Sequence, residues 1–320
     1  MTVQPQSYTG SPGRPSWSAD SKKVAVRLNR KAVLVNKDDQ TVFSEIGPKD
    51  ANIGAPQFSP DGTKLAYDIY TEVPGAEKKQ WAVAVSDSQG KNQEILADHG
   101  RRPRWSPDGE QLAFSSYTDD FQTEVSVVDV QSKEQRVVSQ RPYYTDFSWS
   151  PDGSKIAYEA TNDVAFDLRT VELESGEEKI LTNGDNNAYT DRSPVWSPSG
   201  KTIVFERRHK RFPAGSIWSV EAESGVEKQL FQRFSDAVDP VFTADGKTLI
   251  FGSNHGGRGG LDLFAMDLND LSIAQLTDLP GDEHSPSISP DGKTIAFFNT
   301  DRRRETGERT RLHFQATPPE

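Results

Sequence analysis

The chain has 320 residues, a formal net charge of -11, 33% hydrophobic and 27% charged residues, and no cysteine. The acidic balance argues against a general nucleic-acid binder, and the missing cysteine removes disulfides, thiolate metal sites and a Cys nucleophile. No run approaches the roughly 18 apolar residues that span a bilayer.

Residues 1–12 are polar and loop-like, although residues 2–8 could form a short edge strand. Residues 1–10 lack the basic start and apolar stretch of a signal peptide. The chain as written is therefore expected in the cytoplasm, or in the periplasm if a leader has been removed.

From Trp17 onward one phrase recurs: an aromatic, Ser-Pro-Asp-Gly, a polar residue or two, then a short apolar run. It is clearest at residues 105–114, and related copies begin at Trp17, Phe58, Trp149, Trp196, Phe242 and Ile288. Neighbouring copies start 41, 47, 44, 47, 46 and 46 residues apart. So even a period marks a repeat architecture. The low apolar content alone would also fit disorder, but six tryptophans and apolar runs at a fixed period exclude it.

Each phrase reads as a hairpin. The aromatic ends one strand, the proline presets its own φ, Asp-Gly favours a tight turn, and the apolar run starts the next strand. Between copies there is room for two more strands. Four short strands per period of about 40–45 residues is the propeller signature. The expected fold class is all-β, a seven-bladed β-propeller of four-stranded antiparallel blades. It is expected as a single domain over residues 1–320, with blades starting near residues 14, 56, 103, 147, 194, 240 and 286.

Blade one is short and its phrase is altered, with Ala19-Asp20-Ser21 in place of Pro-Asp-Gly. Blade five has Ser199 for the Asp, and blade six has Thr243 and Ala244 for Ser and Pro. Blade seven has a third strand near residues 311–315 but no fourth. A strand from residues 2–8 would complete it and remove an exposed edge; the alternative is a last blade of three strands.

The first-strand aromatics and the second-strand set Tyr67, Phe114, Tyr158, Phe205, Phe251 and Phe297 are expected to fill the wedges between blades. The Asp of each phrase is expected to accept hydrogen bonds within its turn, not to bind calcium, because the oxygen spacing of an EF-hand is missing.

Site residues are expected where loops lead into the first strands, around the mouth of a central channel. Counting back four residues from each aromatic gives Gly13, Gly54, Arg101, Thr145, Arg192, Val238 and His284. Counting back three gives Arg14, Ala55, Arg102, Asp146, Ser193, Asp239 and Ser285. From these, Arg14, Arg101, Arg102, Asp146, Arg192, Asp239 and His284 are the candidate mouth residues. An acidic peptide terminus held by Arg101, Arg102 and Arg192 is one reading; solvated side chains on a polar rim is the other. The loops joining second to third strands supply further candidates: the basic cluster Arg207, Arg208, His209, Lys210 and Arg211 next to Phe212, and His255 in a Gly-rich loop.

The phrase in its fullest copies, at residues 58–67, 105–114, 149–158 and 288–297, resembles the propeller repeat of the TolB family, also called PD40 or WD40-like repeats. Related repeats occur in prolyl-oligopeptidase-type peptidases. The resemblance covers almost the whole chain and implies the propeller fold, without the α/β domain that precedes it in TolB. No Gly-x-Ser-x-Gly elbow occurs, so the peptidase domain is not expected.

The favoured reading is a binding or scaffolding propeller that recognises a protein or peptide, without an organic cofactor or metal, and is a monomer. The alternatives are a metal-dependent lyase or hydrolase at the channel mouth, and a purely structural subunit. His99, His209, His255, His284 and His313 show no metal-ligand spacing along the chain, so a metal site would require them to converge on folding.

Overall fold

The computed structural model describes residues 13–28, 31–49, 51–73, 75, 78–118, 123–140, 142–161, 166–182, 188–211, 215–231, 236–255, 260–301 and 309–318, with residues 142–145 and 309 described by their backbone alone. The chain forms seven antiparallel sheets, each a meander with its strands in chain order. This is the all-β, seven-bladed propeller class that the repeat predicts. Five sheets have four strands. In blade two the first strand is split, so that Asn52–Ile53 and Gln57–Phe58 both pair with Lys64–Thr71. Blade seven has three strands, Asp282–Ile288, Thr294–Asp301 and Arg309–Ala316. The strand considered at residues 2–8 lies outside the described residues, and so do Phe212 and residues 256–259 of the loop after His255.

Contacts divide the chain into two compact units. The first comprises residues 1–140 and 289–294; the second comprises residues 141–288 and 295–320. Arg14, Arg101 and Arg102 belong to the first, and the other candidate site residues to the second.

The repeated turn is built as its residues demand. Ser106 Oγ donates to Asp108 Oδ1 at 2.5 Å, and Asp108 Oδ1 also accepts from Glu110 N at 3.0 Å. Gln111 N donates back to Ser106 Oγ at 2.9 Å, closing the turn. Gly109 sits at φ 75, where a Cβ would be strained. Blade one reaches the same geometry with Asp20 accepting from Ser18 Oγ at 2.6 Å and Ser21 in the left-handed region at φ 58. Hydrogen bonds from the Ser or Thr hydroxyl hold the carboxyls of Asp20, Asp61, Asp152, Asp245 and Asp291 below the usual range.

The two aromatic sets are buried to different depths. Tyr67, Phe114, Tyr158, Phe205, Phe251 and Phe297 are at most 2% exposed, whereas Trp17, Phe58, Trp105, Trp149, Trp196 and Phe242 keep 7–9%. The second-strand set is thus the deeper core. In the first unit Val83 and Val85 of blade two pack with Trp105, Leu112 and Phe114 of blade three. In the second unit Ala157 and Leu168 of blade four pack with Trp196, Ile203 and Phe205 of blade five. Adjacent blades are also tied by single hydrogen bonds, such as Trp105 Nε1 to Gln57 O at 3.1 Å.

Candidate functional site

The segments that carry the candidate residues are bulged. In blades three, five, six and seven the first-strand register shifts between Arg101 and Arg104, Arg192 and Val195, Val238 and Val241, and His284 and Ser287. Each shift surrounds a proline: Pro103, Pro194, Pro240 or Pro286. Proline has no N–H for the ladder, so an extra residue is taken up there. The residue before it is left-handed, with φ 54 at Arg102, 53 at Ser193, 54 at Asp239 and 54 at Ser285. Non-glycine residues hold that conformation only with support from their surroundings.

In the second unit the support is a carboxyl group from the preceding blade. Ser193 N donates to Glu159 Oε1 at 2.8 Å, and Asp239 N donates to Glu206 Oε1 at 2.7 Å. Both glutamates directly follow the second-strand aromatic, Tyr158 or Phe205. Blade six has Gly252 at that position, and Ser285 N turns instead to Asp239 Oδ2 at 2.9 Å. Burial pushes the Glu159 carboxyl up to about 8, with Asp146 and Glu206 adding to the shift and the Ser193 amide and Arg192 opposing it. At neutral pH Glu159 is therefore mostly a neutral acid.

At the same position in blade two stands Asp68. Its Oδ2 accepts from Arg101 Nε at 2.7 Å, in an ion pair whose side chains are 3% and 34% exposed. Gly54 makes room for this carboxylate, since a Cβ there would overlap Asp68 Oδ1. The Arg101 guanidinium lies over Trp81, with Cζ 3.7 Å from the ring centroid. Trp81 leans on Tyr70, its cross-strand partner, at 5.6 Å. Arg192, the counterpart of Arg101 in blade five, lies over Phe166 at 5.1 Å. Arg192 makes no hydrogen bond or ion pair among the described residues, and the two terminal nitrogens of Arg101 make none either.

The basic cluster of blade five is not the loop that its sequence suggests. Arg207, Arg208 and His209 lie within the strand Thr202–His209. Arg207 is buried, donating to both oxygens of Asp191 at 2.7 and 2.8 Å and to Glu227 Oε2 at 2.6 Å. These partners hold its guanidinium in the charged form above the usual range, although burial opposes it. Trp218 covers its face at 4.6 Å. Arg208 approaches Glu206 at 3.6 Å and Asp236 at 3.4 Å. Lys210 and Arg211 are exposed, as is Arg102, while Arg14 and Asp146 are half-buried.

The histidines rest on aromatic rings: His99 on Tyr117, His209 on Tyr189, His255 on Phe231 and Phe264, His313 on Phe297. His284 lies between Ser285 Oγ at 3.2 Å and Thr300 Oγ1 at 3.0 Å. Among the described residues no group of three or more His, Cys, Asp or Glu is placed to hold a metal ion.

Sequence reading missed Glu159, Glu206 and Asp68, and the aromatic supports Trp81 and Phe166. The carboxylates had a signal, an acidic residue directly after the second aromatic in three blades. It reads as ordinary strand alternation until the neighbouring bulge is seen.

A family profile described as the TolB beta propeller domain matches residues 68–307. An uncharacterized protein of Agrobacterium fabrum is 33% identical over 89 residues, which cover 28% of this chain and 29% of that protein's length. TolB from Acinetobacter baumannii shares the fold at a TM-score of 0.57 and 17% identity, over 96% of this chain and 78% of that one. An oligogalacturonate lyase from Vibrio parahaemolyticus shares it at a TM-score of 0.73 and 14% identity, over 100% of this chain and 93% of that one. No helix among the described residues is long and apolar enough to cross a membrane.

Proposed function

Because the chain belongs to the TolB β-propeller family, we propose that it is a binding propeller whose ligand is a protein or peptide segment carrying acidic groups. One observation carries this reading. At the same repeat position in each unit, an arginine lies on an aromatic ring of the preceding blade and keeps guanidinium nitrogens without a hydrogen-bond or ion-pair partner among the described residues. An arginine laid flat on a ring has lost part of its freedom before any ligand arrives, which lowers the entropic cost of binding. Its planar fork matches a carboxylate. The bulges aim these side chains, as bulges beside binding sites commonly do.

Selection from a random peptide display library against the full chain tests the reading. Selected peptides are expected to be enriched in acidic groups and to lose about tenfold in affinity on Arg101→Gln or Arg192→Gln, the worth of one charged hydrogen-bonded contact. A library that yields no binders, or binders indifferent to both substitutions, overturns it.

A further inference from the structure

The two arginines are not equivalent, and the difference specifies a ligand. We propose that the Arg101 position in the first unit is a subsite for a single peptide carboxylate, with the neighbouring residue of the peptide resting against Trp81 and Tyr70. This rests on the peptide-binding reading above and gives it a chemistry.

Three observations define the occupant. First, Asp68 takes the Nε donor at 2.7 Å and Trp81 takes a face of the guanidinium at 3.7 Å. What stays open is the edge formed by the two terminal nitrogens. Two parallel N–H groups on that edge fit the two oxygens of one carboxylate. Second, the Asp68 carboxylate already balances the arginine charge. A dianion such as phosphate would face a neutral pair with a carboxylate behind it, whereas a monoanion is less repelled. Third, Tyr70 is 43% exposed and leans on Trp81, the ring that lies under the Arg101 guanidinium, so apolar ring surface continues away from the arginine. That surface suits an apolar side chain adjacent to the bound carboxylate. The parts are fixed in advance: Tyr70 and Trp81 face each other across the ladder, and Gly54 leaves room for Asp68.

The test uses the full chain and calorimetric titration with four probes: N-acetyl-Leu-Phe as the free acid, the same dipeptide as its C-terminal amide, N-acetyl-Asp-Phe-amide, and inorganic phosphate. At least one carboxylate peptide is expected to bind, and comparison of the free acid with the Asp peptide shows whether a chain terminus or a side chain is preferred. The amide of Leu-Phe is expected to bind about tenfold more weakly or not at all. Arg101→Lys, which keeps the charge and loses the fork, is expected to weaken binding about tenfold. Asp68→Asn combined with Arg101→Gln keeps a neutral hydrogen-bonded pair and should abolish binding without unfolding the chain.

Phosphate binding as tightly as the free acid would overturn the proposal, as would equal binding of acid and amide, indifference to Arg101→Lys, or no binding of either carboxylate peptide. If the carboxylate probes fail while library peptides still depend on Arg192, only this subsite falls. If library peptides ignore both arginines, the broader reading falls with it.

Discussion

Blades two and three in the first unit, and blades four and five in the second, solve one problem in two ways. Each pair places an acidic residue after the second-strand aromatic and an arginine four residues before the next tryptophan. In the first pair the acid is Asp68, and it takes Arg101 Nε. In the second the acid is Glu159, and it takes the Ser193 amide instead. Arg192 lies over Phe166 and makes no hydrogen bond or ion pair among the described residues. A carboxyl that reaches the bulge backbone supports the bulge, while one that stops at the arginine orients that side chain.

The comparison can be broken at its strongest point first. Arg207, directly after Glu206, holds both oxygens of Asp191 and is 9% exposed in its side chain. Arg207→Gln should cost about 3–5 kcal/mol, because it strands a buried carboxylate. Thermal unfolding should show it as the largest loss of the set. Arg101→Gln should cost less, about 2 kcal/mol, since Arg101 is a third exposed and its pair is partly screened by solvent. Gly54→Ala should fall close behind, at about 1–3 kcal/mol, because the added methyl displaces Asp68. It should also weaken carboxylate binding at Arg101, which separates an orienting role for Asp68 from a purely structural one.

The Glu159 side of the comparison is sharpened by pH. Burial raises its carboxyl from 4.5 to about 8, so between those values the native chain holds a proton that the unfolded chain has released. Stability from this group is complete below 4.5, declines as pH rises, and is lost once pH passes about 8. Glu283 shifts in the same direction, driven by burial and by Asp262 beside it. The wild-type melting temperature should therefore fall between about pH 5 and pH 8, and Glu159→Gln should flatten that fall without abolishing it. An unchanged slope would show that Glu159 is ionised in the native state. The smallest effect is expected from Arg192→Gln, within about 0.5 kcal/mol, since no ion pair is lost. A larger cost there would show that Arg192 supports the fold.

The fold was readable because a propeller repeats its local signals. Trp105-Ser106-Pro107-Asp108-Gly109 announces its own hairpin, and the same grammar survives in blade one, where Ser21 replaces the glycine. The candidate positions were readable as well, since Arg101 and Arg192 follow from counting back along the repeat. Their neighbours were not. Trp81 and Phe166 sit one blade earlier, each at the start of a third strand, Gln80–Asp87 or Phe166–Glu172, so nothing local pairs them with an arginine. Arg207 misled for a similar reason: a run of Glu, Arg, Arg, His, Lys and Arg looks like a solvated loop, yet Asp191 and Glu227 draw it into a strand.

The most direct measurement of the central claim is a crystal structure of the chain with an acidic peptide chosen by the library. The account predicts a carboxylate of the peptide within about 3 Å of the terminal nitrogens of Arg101 or the guanidinium of Arg192. A peptide bound with both arginines untouched would contradict it.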